Sequence, residues 1–467
     1  MRLHHAIAFA TLIAAPAAAQ TTDPFQTPVR ASDGAIRVGI REFAQLPDAN
    51  GEAARPTILF DEPGTRRLFI NDMRGAIWSI SYDGATVTEY VNTDDPRWGH
   101  DVQSQGSERG MQSFAIHPQF GEQGTPGYGR FYTWADVMNQ EPAPDFQPGG
   151  GQDTHDTVLL EWTARTPGAA TYDGGPPREV FRVEQPFRNH NGGQIGFNPL
   201  ARPGTPDFGM LYIGLADGGS GGDPMNLAQN MQSAFGKILR IDPLGRNSAN
   251  GKYGIPADNP FAAGSTNGAL REIWALGMRN PQRFGWDPAN GNMYVADIGQ
   301  NIVEEMSPVR RGGNLGWNVW EGSFRYAGRG GVDTSNPRGD ASMIYPVAEY
   351  DHRDPILTGR AAATGLVVQR GNSVPALADR ILFGDNPSGE VFHVPADNPP
   401  QGGQDPIGRV LFNDGGEAKT LLQLIQAKNT QQGRQPASRA DLRFGTGPNG
   451  QIFLLNKRDG VVRLLIQ

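Results

Sequence analysis

Short apolar runs, each closed by a turn that often contains proline, follow one another along the chain, and one arrangement of them recurs six times. An apolar stretch meets the turn and is answered by an apolar-aromatic-apolar run. The first four copies are Ile58 to Pro63 with Leu68-Phe69-Ile70, Phe114 to Pro118 with Phe131-Tyr132-Thr133, Ile195 to Pro199 with Leu211-Tyr212-Ile213, and Phe284 to Pro288 with Met293-Tyr294-Val295. The fifth, Gly365 to Val368 with Ile381-Leu382-Phe383, is weaker. The sixth runs from Leu442-Arg443-Phe444 through Pro448-Asn449-Gly450 to Ile452-Phe453-Leu454. Runs of this length bounded by turn residues predict strands. A further strand often follows, as at Ala76 to Ile80, Lys237 to Ile241 and Val461 to Leu465. Units of three or four strands repeating every roughly 60–90 residues predict an all-β fold, a six-bladed β-propeller with long inter-blade loops. A decorated β-sandwich is the alternative for the same strands.

Composition narrows this further. The chain has 467 residues, with Gly 62, Pro 37 and 19% charged residues, so it is heavily punctuated yet ordered. A net charge of -8 and the lack of any basic run argue against a nucleic-acid partner. Arg2, the apolar stretch Ala6 to Ala15 and Ala17-Ala18-Ala19 read as an export signal cleaved after Ala19, which predicts a periplasmic or secreted protein. Residues 20–54 then form an N-terminal extension and 55–467 the propeller. No later stretch approaches the ~18 unbroken apolar residues of a membrane span. There is no cysteine, so a metal must be held by oxygen or imidazole.

Three inter-blade segments carry candidate chemistry, because loops on a rigid scaffold carry function. In Arg188-Asn189-His190-Asn191-Gly192-Gly193-Gln194 a histidine stands against two glycines, where a flat ligand can come close; a neutral imidazole is a natural base for a hydroxyl proton. A turn histidine bonded to backbone has the same look. Asp217, in Leu215 to Pro224, leaves a strand end and could orient that imidazole, or could join Asp223 in a calcium loop. Arg279-Asn280 precedes Pro281 and offers a permanent cation, although a surface arginine reads alike. Asp297-Ile298-Gly299-Gln300 exposes turn carbonyls, and Glu304-Glu305 adds carboxylates, both suited to calcium. His117 reads as structural, Trp317 and Trp320 as blade packing or a sugar platform, and His352 as a residue of the pocket lip.

Taken in order, HNGGQIGFNP, LYIGLADGGSGGDP, GKILRID, GMRNPQRFGWDP, ADIGQNIVEEM and GGNLGWNVWEG resemble the glucose/sorbosone dehydrogenase family, from about Arg55 to the C-terminus. The resemblance implies a six-bladed propeller that binds pyrroloquinoline quinone (PQQ) with calcium. Its substrate would be a sugar oxidised at the anomeric carbon to a lactone, with an external electron acceptor. His190 then matches the base, Asp217 the carboxylate that holds it, and Arg279 the cation beside the quinone. Asn280, Gln194 and Arg443 match further cofactor contacts. The carbonyls of Gly299 and Gln300 match calcium ligands, and Glu305 a carboxylate at a second calcium. The family also includes hedgehog-interacting-protein-like members not known as sugar oxidases.

The chain departs from the sugar-oxidising members in several places. Phe383 to Phe392, FGDNPSGEVF, has no lysine where those members pair one with a quinone carboxylate. The paired arginines of the last blade are reduced to Arg439 and Arg443, Glu108 and Arg109 stand where a glutamine often precedes the Gly-Leu-Leu of the second blade, and position 189 is Asn in place of Asp. A polyanionic cofactor needs fixed cations, so Arg360 or Arg109 would have to compensate. Two other readings therefore stand beside the dehydrogenase: a non-redox calcium-dependent glycan- or protein-binding propeller, and a calcium-dependent lactonase with an axial carboxylate cluster.

Overall fold

The computed structural model describes residues 20–30, 34–106, 108–139, 142–264 and 268–467. The expected signal peptide, 1–19, lies outside them.

Each strand pair read from the sequence extends into an antiparallel four-stranded meander. The first runs from Pro56–Glu62 to Val87–Asn92, the second from Met111–Ile116 to Arg178–Gln185, and the third from Ile195–Phe197 to Ile273–Leu276. Two more run from Pro281–Trp286 to Ala348–Asp351 and from Ala363–Gln369 to Gly408–Asp414. The last joins Arg443–Thr446, Ile452–Leu455 and Val461–Ile466 to a strand from the other end of the chain, Ile36–Gln45, in register Gly39↔Ile466 to Gln45↔Val461. The segment expected as an N-terminal extension is thus woven into the fold. Its first residues, Gln20–Thr21, pair with Val332–Asp333 in a separate small sheet.

The central strands are largely apolar on both faces; Leu211–Leu215 and Lys237–Ile241 are buried throughout, the side chains of Lys237 and Arg240 included. Such a sheet needs a partner on each side. One core cluster lies at every junction between successive meanders, for example Phe69, Ile77 and Tyr90 against Met111, Phe114 and Phe131. The series closes where Phe453, Leu455 and Val462 of the last meander pack on Leu59, Leu68 and Trp78 of the first. At this seam Gly445 pairs in parallel with Leu59. The result is the expected all-β, propeller-type architecture.

One element lies outside that pattern. Leu421–Gln431 is an α-helix with a capping box between Thr420 and Gln423, and it buries Leu421, Leu424 and Ile425. His117 is structural, as the sequence suggested: its Nδ1 accepts from the Gln119 N–H at 3.1 Å and its ring packs edge-on against Phe197.

The inner strands all begin at one end of the ring. Four of them carry a bulge in their first residues, at Pro56/Leu59, Met111/Ser113, Pro281/Arg283 and Ala363/Gly365. Bulges re-aim side chains, and here they leave polar groups facing the axis. Arg283, 4% exposed, fills that axis and donates to the carbonyls of Thr57 (2.7 Å), Gln112 (3.4 Å) and Gln282.

Two outcomes follow. A Cβ on Gly445 would lie 2.7 Å from the Leu59 Cβ; Gly445→Ala is expected to force the seam apart at a cost of about 1–3 kcal/mol, read as a lower urea midpoint. Burial, with a smaller effect from Arg130, pushes the His117 imidazole down to about 4 from 6.5. Between those values the unfolded chain binds a proton that the folded state refuses, so stability falls as pH drops through this window. His117→Gln should flatten that limb by up to about 1.4 kcal/mol per pH unit, measured by urea titrations between pH 4 and 6.5.

Candidate active site

The inner-strand ends and the loops leading into them line a cavity of about 800 Å3. His190 lies in its wall with φ 58°, a conformation costly for a side chain bearing a Cβ. It is held there from two sides. Its N–H donates to Glu108 Oε2 at 2.8 Å, and its Nδ1 meets Asp217 Oδ1 at 2.6 Å. The next glycines allow the approach: a Cβ on Gly193 would sit 2.1 Å from the Pro281 carbonyl of the next meander.

Asp217 is fully enclosed and its oxygens are spoken for. Oδ1 also accepts from the Gly219 N–H (2.9 Å) and Oδ2 from Trp317 Nε1 (2.9 Å). Burial alone would raise its carboxyl, but His190, Arg279 and the Gly219 N–H hold it below the usual range. Asp217 is therefore an anion that fixes His190 with Nδ1 as donor, leaving Nε2 without a protein partner among the described residues. Asp223 does not share in this. Its oxygens accept from the Leu227 and Ala228 N–H groups, closing the turn that follows it.

Arg279 and Asn280 enter the cavity side by side because Asp297 accepts both of their N–H groups, at 2.9 and 2.6 Å. The Arg279 guanidinium donates to Gln300 Oε1 and to the Ile298 carbonyl and lies 5.8 Å from the Trp317 ring. Trp317 thus touches both Asp217 and Arg279, which the sequence reading of a packing or sugar-stacking residue did not foresee. Trp320 packs against Tyr345.

The loop of Gly299 and Gln300 is organised by carboxylates behind it. Glu321 Oε1 accepts four successive N–H groups, from Gln300 to Val303, and Glu304 Oε2 accepts the Gly299 N–H. Gly299 and Gln300 line the cavity, and no hydrogen bond of the described residues ends on either carbonyl oxygen. Glu305 is placed differently. It stands in a buried row with Asp297 and Glu349 on neighbouring strands, outside the cavity lining, and accepts from the Gly322 N–H. Burial and the charge of Asp297 push it well above its ordinary value. Among the described residues no three His, Asp or Glu side chains converge as a metal site.

Arg443 lines the cavity, with Nη1 on Thr364 Oγ1 and the Leu442 carbonyl and its Nε buried without an acceptor. Gln194 does not line it; its Oε1 accepts from the Phe284 N–H, linking the third inner strand to the fourth. Gln282 of the next inner strand is there instead, bonded to the Gly192 carbonyl and Asn280 Oδ1. The structure also brings in Lys457, from the last meander, which the sequence did not single out. His352 also lines the cavity, with Nε2 2.7 Å from Glu304 Oε1. Burial would lower that imidazole, but the hydrogen bond and charge of Glu304 raise it.

The sequence profile described as Glucose / Sorbosone dehydrogenase matches residues 58–401. The chain belongs to this family. It is similar to the HIPL1 protein of Arabidopsis thaliana, 34% identical over 313 residues, which cover 60% of this chain and 43% of that protein. It is also similar to the aldose sugar dehydrogenase YliI of Escherichia coli, 30% identical over 153 residues, 32% of this chain and 35% of that protein. The matches span 43% and 49% of the lengths of the HIPL1 and HIPL2 proteins, less than half of each. Among solved structures, the PQQ-bound aldose sugar dehydrogenase of Streptomyces coelicolor superposes with TM-score 0.57 at 19% identity, over 91% of this chain and 97% of that one. The apo-form of the soluble E. coli aldose sugar dehydrogenase gives TM-score 0.60 at 18% identity, over 92% and 98%. These superpositions bear on the fold.

Asp217→Ala would strand the His190 Nδ1, Gly219 N–H and Trp317 Nε1 donors together. The expected cost is about 1–3 kcal/mol of unfolding free energy, with a smaller loss for Asp217→Asn, read from urea unfolding of the three proteins.

Proposed function

We propose that this chain is an exported six-bladed propeller that oxidises the anomeric carbon of a sugar to a lactone with PQQ and calcium, passing electrons to an external acceptor. The observation that carries the reading is the His190–Asp217 pair, 2.6 Å apart in the wall of the cavity, in a member of the glucose/sorbosone dehydrogenase family.

The residues present fit the two groups. The unengaged carbonyls of Gly299 and Gln300 suit a hard cation. Arg279, Arg439 and Arg443 face the same cavity and suit a polycarboxylate, and the buried Arg443 Nε lacks an acceptor. When bound, PQQ supplies a two-electron acceptor, polarised by calcium. His190 Nε2 takes the proton of the anomeric hydroxyl, and Asp217 stabilises the imidazolium that forms. Trp317 and the Gly219 N–H keep Asp217 from turning toward the substrate. Glu108 fixes the His190 backbone in its strained conformation. Glu305 is our candidate for a second calcium, standing in one buried row with Asp297 and Glu349.

The cation-rich lining speaks against a lactonase, which calls for carboxylates on the axis. A non-redox binding propeller keeps support from the similarity to HIPL proteins and from the altered string at 383–392. Titrating the apo-protein with PQQ and calcium, followed by dye-linked oxidation of an aldose panel, separates the two. Calcium-dependent quinone binding is expected, with turnover that falls about 10²–10⁴-fold in His190→Ala while binding persists. Failure to bind the quinone at saturating calcium would leave the binding propeller as the reading.

A further inference from the structure

Residues 20–30 belong to none of the six meanders, yet they are held at four successive points. Gln20–Thr21 pair with Val332–Asp333. The Phe25 ring meets Phe324 edge-on, with centroids 5.4 Å apart, and packs against the cluster of Ile302, Val303, Phe324 and Val332. The Thr27 carbonyl accepts from Gln404 Nε2 at 2.7 Å, and the Val29 N–H donates to Asp354 Oδ2 at 2.6 Å. The Val29 side chain is buried in one core cluster with Leu357.

These anchors fall on two loops that line the axial cavity, one through Gly299 and Gln300 and the other through His352, Asp354 and Leu357. The two loops are also tied to each other, since the His352 N–H donates to the Ile302 carbonyl at 3.1 Å. Phe25 bears on the first loop by two routes. It covers Ile302 and Val303 directly, and it backs Phe324, the cross-strand partner of Glu321. One oxygen of Glu321 accepts all four N–H groups from Gln300 to Val303, so the loop keeps its shape only while that carboxylate stays in place. A loop with few apolar contacts of its own opens easily; here a ring from a distant part of the chain supplies them. Carbonyl ligands must hold a hard cation at about 2.3–2.6 Å, a tolerance that such a loop meets only when it is braced.

We propose that residues 20–30 are a positioning strap for the cavity: Phe25, acting through Phe324 and Glu321, fixes the carbonyls of Gly299 and Gln300, and Val29, acting through Asp354, fixes the 352–357 segment. The inference rests on the quinone-and-calcium reading only for the use made of those carbonyls. Phe25 and Val29 touch neither substrate nor cofactor; they set the shape of what does.

The test is hydrogen exchange, followed by mass spectrometry, on the full chain and on Phe25→Ser, Phe25→Leu and Val29→Ala, with calorimetric titration of each by calcium alone. In Phe25→Ser the amides from Gln300 to Val303 should exchange about tenfold faster, with the meander strands unchanged. Calcium affinity should fall about tenfold in the same variant. Phe25→Leu, which keeps an apolar contact, should restore most of both. Val29→Ala should act chiefly on 352–357. Unchanged exchange at 300–303 in Phe25→Ser overturns the proposal. Acceleration spread evenly over the molecule overturns it too, by making Phe25 a general contributor to stability. So does a wild-type chain that binds calcium and a Phe25→Ser variant that binds it equally well. A wild-type chain that takes up no calcium, but whose 300–303 amides loosen in Phe25→Ser, sinks the calcium reading and leaves the strap standing.

Discussion

A sheet that is apolar on both faces cannot stop at one neighbour. That constraint governs this molecule: every four-stranded meander covers the next, and the last covers the first, through the cluster of Phe453, Leu455 and Val462 with Leu59, Leu68 and Trp78. Closure leaves the inner strand ends converging on an axis too narrow for more sheet and too polar to be left dry and unpaired. Arg283 resolves this by donating to carbonyls from three meanders at once. It does so without a carboxylate, and burial and the neighbouring charge of Arg443 hold its guanidinium well below the ordinary value. The axis is therefore floored by one side chain fixed by the geometry of the ring.

The chemistry above that floor follows from the same convergence. Glu108, His190, Arg279, Thr364 and Arg443 come from different inter-blade approaches and share one cavity. None of these positions could move alone. His190 keeps its strained backbone because Glu108 and Asp217 hold it, Asp217 keeps its charge because Trp317 and Gly219 answer it, and Asp297 aligns Arg279 with Asn280. Carboxylates here act mostly as clamps on backbone, which is why so many of them are buried beside a basic cavity.

The strands were legible because apolar runs and turns are local signals; even the weak fifth repeat marks two real strands, Ala363–Gln369 and Arg380–Asp385. The helix Leu421–Gln431 was missed although Thr420-Leu421-Leu422-Gln423 holds its capping box in plain sight. His190, Asp217, Arg279 and Asn280 were found from short motifs, and the structure brings them together. Gln194 was misplaced since nothing in a string tells which way a residue faces at the start of a strand, and one step of alternation separates cavity from interface. Glu305 raises the same difficulty, being a cross-strand partner of Asp297 and Glu349. Lys457 was invisible for another reason: it lies far along the chain, in no recognisable motif, and only closure of the ring carries it to the axis.

The strand Ile36–Gln45 has its antiparallel partner, Val461–Ile466, at the opposite end of the sequence. A growing polypeptide therefore emerges as an open arc, with one sheet incomplete until Val461–Ile466 has been synthesised. The contact that seals the ring joins strands far apart in the sequence, which places it late in folding. The two ends that lie together in the native sheet are also the ones that must wait longest to meet.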